Sequence, residues 1–241
     1  MAEQQDAGRR TPLSRDRVLR AAVSLADDAG IDALSMRRLA QELGVVPMAL
    51  YKHVANKDEL LDGMVDLVID EFERPGPGLR WDDAVRHRVL SARRAVLRHP
   101  WARRAIESRT RRTPTVLAYM DEMTGTFLDG GFSANLTHHA LHALGNRIWG
   151  FSPELFEEEP DPGRPTPDPE AQAAMVREFG QRYPHILAVA TAATDGDLSR
   201  VGEGCDEQFE FEFALDLLLD GFDRLRTRGW TSGRGPLRDG R

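Results

Sequence analysis

The amino-acid sequence predicts an all-α protein, with an N-terminal three-helix domain of helix-turn-helix type and a larger C-terminal helical bundle that dimerises. Three observations predict the helices. Apolar residues recur at intervals of three and four almost throughout, as they do in helices buried along one face. Almost nothing alternates apolar and polar residues as a half-buried strand does. Between the periodic segments stand helix starters and stoppers, chiefly Ser, Asn, Pro and Gly.

The first helix follows Ser14, a good N-cap, places Val18, Ala21, Ala22, Leu25 and Ala26 on one face, and stops at Gly30. Ser35 caps a second helix carrying Met36, Leu39, Ala40 and Leu43, and Gly44 ends it. Pro47 sits at the first position of a short helix of about two turns reaching His53, where its missing N–H does no harm. Asn56 and Glu59 read as a capping box for a fourth helix with the stripe Leu60, Leu61, Met64, Val68, Ile69 and Phe72. After a Pro-Gly break at 75–78, Trp81, Val85, Val89, Ala92 and Val96 mark a fifth helix. A sixth covers 101–109, a seventh starts at Thr113-Pro114, and an eighth runs from Ser133 to near Gly150. Residues 152–168 are acidic and Pro-rich and read as a mobile loop. Two helical stretches follow Asp168, divided at Tyr183-Pro184, and the last helix spans about 206–228. The expected organisation is therefore a flexible arm at 1–13, a helix-turn-helix domain at 14–62, a second domain at 63–228 and a disordered tail at 229–241.

Composition narrows the function classes. Of 241 residues, 41% are hydrophobic and 29% charged, an ordinary globular balance. No apolar run reaches the roughly 18 to 20 residues that span a bilayer, and residues 1–17 lack the apolar core of a secretory signal. Cys205 is the single cysteine, so no intramolecular disulfide can form, and a cytoplasmic protein is expected. Residues 1–57 hold nine basic side chains against seven acidic ones, and the remainder holds 23 against 32. Positive charge concentrated at one end of an acidic protein suits docking of one small patch on phosphates.

The segment 34–61 carries the most information. With Leu39, Ala40, Leu43, Leu50 and Val54 turned inward, the helix from Pro47 presents Met48, Ala49, Tyr51, Lys52 and His53 to solvent. Such a face can lie in a major groove, where small and apolar side chains meet thymine methyl groups and polar ones meet base edges or phosphates. Arg37 can reach a phosphate or a guanine edge, and Lys57 with the start of the fourth helix can hold another phosphate. The alternative is a three-helix core whose Tyr and His merely cover its surface.

Four strings in order, Arg38-Leu39-Ala40, Leu43-Gly44-Val45, Leu50-Tyr51-Lys52-His53 and Asn56-Lys57-Asp58-Glu59-Leu60-Leu61, resemble the DNA-binding domain of the tetracycline-repressor (TetR) family over residues 14–62. The resemblance implies that Arg37, Pro47, Met48 and Ala49 touch bases, and that Tyr51, Lys52, His53 and Lys57 mainly touch the backbone. One departure is Val46, where the family has a Ser or Thr cap. Pro47 compensates by removing one orphan donor and pushing Val46 toward extended backbone.

Residues 80–228 are similar to the C-terminal domain of the tetracycline-repressor branch, through Gly131-Phe132-Ser133, the acidic loop and the run from Phe211 to Phe222. The resemblance implies a four-helix dimer interface built from the helix after Ser133, with Leu136, Ala140 and Leu144, and the last helix. On the last helix Phe211, Leu215, Leu218, Phe222 and Leu225 repeat at helical spacing, and Phe213 and Leu217 widen the face. Burial within the chain's own core is the alternative for that face.

The resemblance also implies a ligand cavity, for which Trp101, Glu107, Met120, Met123, Phe127, His138, His142 and Trp149 are the candidate lining residues. For any single apolar one of these, ordinary core packing is the alternative. Glu107 falls where the tetracycline branch has a His that chelates drug-bound magnesium, and Glu73 where it has a second drug-contacting His, so a different effector is expected. His138 and His142 stand one turn apart, but two imidazoles make no complete metal site, and neither metal nor cofactor is expected. No paired nucleophile and base and no phosphate-cradling Gly loop occurs, so the chain is not expected to be an enzyme. The expected function is a homodimeric repressor released from palindromic operator DNA by a small molecule. A helical interaction protein and a helical metal-dependent enzyme are the alternatives.

Overall fold

The computed structural model describes residues 12–109, 111–149, 168–193 and 206–233. They form α1 (Arg15–Ala29), a 3-10 turn (Ile31–Ala33), α2 (Met36–Glu42), α3 (Pro47–Leu50), α4 (Lys57–Asp70), α5 (Trp81–Arg98), α6 (Ala102–Ser108), α7 (Pro114–Asp129), α8 (Ala134–Trp149), α9 (Pro169–Arg182), α10 (Pro184–Ala193) and α11 (Glu207–Thr227). No strand occurs among them, and no described helix is long and apolar enough to cross a membrane. The expected loop falls outside the described residues except for Asp168, as do Cys205 and the side chain of Trp149.

The helix starts are set by the residues expected to set them. Ser14, Ser35 and Thr113 accept hydrogen bonds from the backbone N–H three residues on, each at 3.2 Å. α2 ends in a Schellman arrangement: the N–H of Gly44 donates to the Gln41 carbonyl at 3.1 Å, and that of Val45 to the Ala40 carbonyl at 2.9 Å. Gly44 has φ of 65°, which is why a glycine stands there.

The described residues divide into two compact units, one comprising those up to residue 150 with those from 216 onward, the other residues 151–215. Within the first, the apolar core runs unbroken from Val18, Leu39 and Leu50 through Leu60, Met64 and Val68 into Ala92, Ala95, Trp101 and Ala102. The expected boundary between 62 and 63 lies in mid-α4, and α4 is packed into the same core as the helices before it. Its Gly63 allows this, because a Cβ there would stand 2.6 Å from the Leu19 side chain of α1. A second aromatic cluster sits further along this unit: Phe127 meets Phe132, Trp81 and Phe222 at ring separations of 5.1, 5.7 and 6.1 Å.

Two expectations change here. Phe211, Leu215 and Phe222 on α11, and Leu136, Ala140 and Leu144 on α8, are buried in the single chain and are not an exposed face. Leu218 and Leu225 are half-buried, and the outward apolar stripe of α11 is Phe209, Phe213 and Leu217, at 62%, 53% and 57% exposure. Nor is the tail disordered from its start. Ser232 donates its N–H to Asn135 of α8 at 2.9 Å, and Trp230 meets the His139 ring edge to face at 5.5 Å.

Candidate nucleic-acid interface and ligand cavity

The segment from Pro47 is held from below and left open above. Leu50 and Val54 are buried beside Leu39 and Ala40 in the common core. Helical geometry closes only one turn, Pro47–Leu50, and then a tight turn in which the N–H groups of His53 and Val54 both donate to the Leu50 carbonyl. The expected two-turn helix is thus shorter than its sequence suggested. Arg15 fixes the end of the turn by donating to the His53 carbonyl at 3.0 Å and pairing with Glu59 of α4. Glu59 in turn accepts from the N–H of Ala55 at 2.7 Å while Asn56 accepts from the N–H of Glu59 at 2.8 Å. The capping box therefore closes one residue earlier than its pattern implies. The Ala55 hydrogen bond chiefly holds the Glu59 carboxyl below its ordinary range; burial opposes it and Arg15 assists.

Above this base Met48 is 71% exposed, Val46 and Tyr51 are exposed beside it, and Ala49 and His53 are half-buried. Val46 caps α3 through extended backbone alone, with φ of −79°, ψ of 146° and no side-chain hydrogen bond, consistent with the effect expected of Pro47. Arg37, Lys52 and Lys57 are exposed and form no ion pair among the described residues. Exposed apolar tips, with cations that no described carboxylate neutralises, match the two needs of groove binding, base contact and phosphate neutralisation.

Charges behind this face are paired. α4 carries Asp58, Asp62 and Asp66 at four-residue spacing, hence on one face. Arg109, between α6 and α7, donates to the Asp58 carboxylate at 2.8 Å, the Asp58 carbonyl at 3.0 Å and Asp62 at 3.1 Å. Thr113 hydroxyl donates to Asp66, whose pKa is nonetheless raised, chiefly by burial. The far end of α4 is held by a second junction. His99, at the end of α5, is buried and places Nδ1 2.8 Å from Asp27 of α1 and Nε2 3.1 Å from Glu71, which ends α4. Trp101 donates to the same Asp27 oxygen at 2.6 Å, and Arg98 pairs with Glu71. Both ends of α4 are thereby tied to the helices that follow it.

A cavity of about 570 Å³ opens against α4, α6, α7 and α8. Its apolar wall includes Val65, Ile69, Val116, Met120, Met123 and Leu141, and Tyr119 adds a phenol that burial pushes up to about 12 and thus keeps neutral. Of the candidate residues, Glu107, Met120, Met123, His138 and His142 line it. Trp101 and Phe127 do not: Trp101 is committed to Asp27, and Phe127 is the fully buried centre of the aromatic cluster. Glu73 also lies elsewhere, paired with Arg94 at 2.9 Å. The sequence reading missed Asp62, Arg109, Arg111, Arg112 and Thr113, all part of the lining. The aspartates at four-residue spacing on α4 were the available signal. Glu107 pairs with Arg103 at 3.0 Å, and the rings of His138 and His142 stand 4.6 Å apart. No cluster of three or more metal-ligating side chains occurs among the described residues.

The family profile described as bacterial regulatory proteins, tetR family, matches residues 18–64, and that of the tetracyclin repressor-like C-terminal domain matches 74–226. The chain belongs to the TetR family. As a TetR-family protein it is a helix-turn-helix transcriptional regulator. It is 30% identical over 227 residues to the HTH-type transcriptional repressor DrrR1 of Streptomyces coeruleorubidus, covering 90% of this chain and 80% of that one. It is 32% identical over 136 residues to the class D tetracycline repressor of Escherichia coli, covering 53% of this chain and 62% of that one. The solved structure of apo ActR from Streptomyces coelicolor superposes with a TM-score of 0.67 at 28% identity, covering 91% of this chain and 99% of that one.

Proposed function

We propose that this TetR-family protein works in the cytoplasm as a homodimeric repressor whose two Pro47–His53 segments enter successive major grooves of a palindromic operator. One observation carries the reading: Met48, Tyr51 and Lys52 of that segment are exposed, as are Arg37 of α2 and Lys57 of α4, and no carboxylate of the described chain neutralises these three cations. Pro47, Met48, Ala49 and Arg37 face the bases, and Tyr51, Lys52, His53 and Lys57 the sugar-phosphate backbone. Pairing through the stripe Phe209, Phe213 and Leu217 supplies the second segment, since one such short helix reads too few base pairs for useful specificity.

The cavity is the effector site. Its relative ActR has been solved in complex with actinorhodin, at 26% identity to this chain. A small molecule lodged between α4 and α7 favours a different setting of α4, and with it a different separation of the two reading segments. It must bind the two settings unequally, or nothing shifts. Selection of genomic fragments on the purified protein, followed by footprinting, tests the reading. Two protected half-sites about one helical turn apart are the expected result. Protection of a single half-site, or recovery of fragments without dyad symmetry, contradicts it.

A further inference from the structure

Charge around the cavity is out of balance. Of the two carboxylates in its lining, Glu107 is held by Arg103 and Asp62 by Arg109. Arg111 and Arg112 also line it, are exposed, and form no ion pair among the described residues. His138 and His142 of α8 complete the basic part of the lining and form no ion pair among the described residues. A cavity with an apolar wall and surplus guanidinium in its lining selects a molecule with a hydrocarbon frame and one negative end. Arg109 gives that negative end something to do. Its guanidinium already serves two aspartates of α4, Asp58 and Asp62, and a third anion beside it must compete with them.

We propose that the effector is an organic anion, a carboxylate or ionised phenol on an apolar frame, and that its charge draws Arg109 away from Asp58 and Asp62. Arg111 and Arg112 bind the anion, and the loss of the Arg109 tie frees the first half of α4, which carries Lys57 and adjoins the reading segment. The inference rests on the cavity being the effector site.

A matched pair of fluorescent probes separates the two claims: anilinonaphthalene sulfonate, and phenylnaphthylamine, the same frame without its charge. Affinities of both are measured on the intact protein by titration, alongside their effect on operator binding. The sulfonate is expected to bind about tenfold more tightly than the neutral probe. R111Q/R112Q, both on the surface, is expected to erase that ratio. D62N, by removing a competitor for Arg109, is expected to raise it, while D28N, an equal charge change on α1, leaves it alone. Equal affinity for the two probes in the unaltered protein overturns the anion inference, as does a ratio that follows D28N as closely as D62N. If the neutral probe binds and weakens operator binding while the ratio stays at one, the effector site stands and only the anion inference falls. If neither probe binds, both fall.

Discussion

The outer face of the reading segment and the belt around α4 use the same residue types in opposite ways. On and beside the outer face Arg37, Lys52 and Lys57 form no ion pair among the described residues, and the apolar Met48 is exposed. Around α4, Arg109, Arg98 and His99 are each matched to carboxylates, and the apolar residues between them are buried. A cation without a partner contributes little to folding and remains available to a phosphate. A cation shared between two helices fixes their separation and is not available to DNA. The first region is therefore expected to control affinity for the operator, and the second the setting of the head and its response to an effector.

Substitutions in the two regions can break that division. The largest effect belongs to Leu50, on the inner side of the reading segment, where Leu50→Ala leaves a hole in the core. Chemical denaturation should show a loss of about 2–5 kcal/mol, with operator binding lost along with the fold. Met48→Ala, two residues earlier on the outer side, should leave the denaturation midpoint in place and change sequence preference. If the two variants were equally destabilised, the inward and outward assignment would be wrong.

Next in size is the junction at His99. His99→Ala takes one partner from each of two carboxylates at the meeting of α1, α4 and α5, leaving Asp27 with Trp101 and Glu71 with Arg98, and about 1–3 kcal/mol of stability should be lost. The same junction sets a pH dependence. Burial pushes the Glu71 carboxyl up, but hydrogen bonds from Arg98 and His99 outweigh it and hold the group below its ordinary 4.5. A carboxylate with a lowered folded pKa stabilises the fold fully above its unfolded value, and that contribution disappears as the pH falls through the folded value. Denaturation midpoints of the unaltered protein and Glu71→Gln should therefore differ at neutral pH and converge under acid conditions below about 4. A constant gap would mean that Glu71 acts through packing and not through its charge.

The smallest effect is expected at Asp66, and its sign is opposite. Its pKa is raised, mainly by burial, so ionisation weakens the fold as the pH climbs past the ordinary carboxylate range. Asp66→Asn keeps an acceptor for Thr113 and should raise the thermal midpoint slightly at neutral pH. A fall instead would show that the charge of Asp66, and not merely its oxygen, holds the belt together.

What the sequence revealed was local. Ser14, Ser35, Gly44, Pro47 and Asn56 act on backbone groups within a few residues, so their roles were readable in one dimension. The cavity joins α4 to three helices that begin more than thirty residues after it ends, α6, α7 and α8, and only residues already marked by resemblance or by polarity, such as Glu107 and His142, could be anticipated. Arg109 and the aspartates of α4 are 51 and 47 positions apart, and no local pattern joins them. On α11 the difficulty was different. The helix is apolar on two sides, with Phe211, Leu215 and Phe222 on one and Phe209, Phe213 and Leu217 on the other. Helical spacing identifies both sides but does not say which one the chain itself covers.

The salt dependence of operator binding tests most directly whether the unpaired cations of the outer face meet DNA. Affinity for a selected operator is measured across a range of salt concentrations for the unaltered protein and for Lys52→Ala and Lys57→Ala combined. Each lost phosphate contact should reduce the slope of log affinity against log salt by about 0.9, with the denaturation midpoint unmoved. A slope identical in both proteins would place the DNA elsewhere on the molecule.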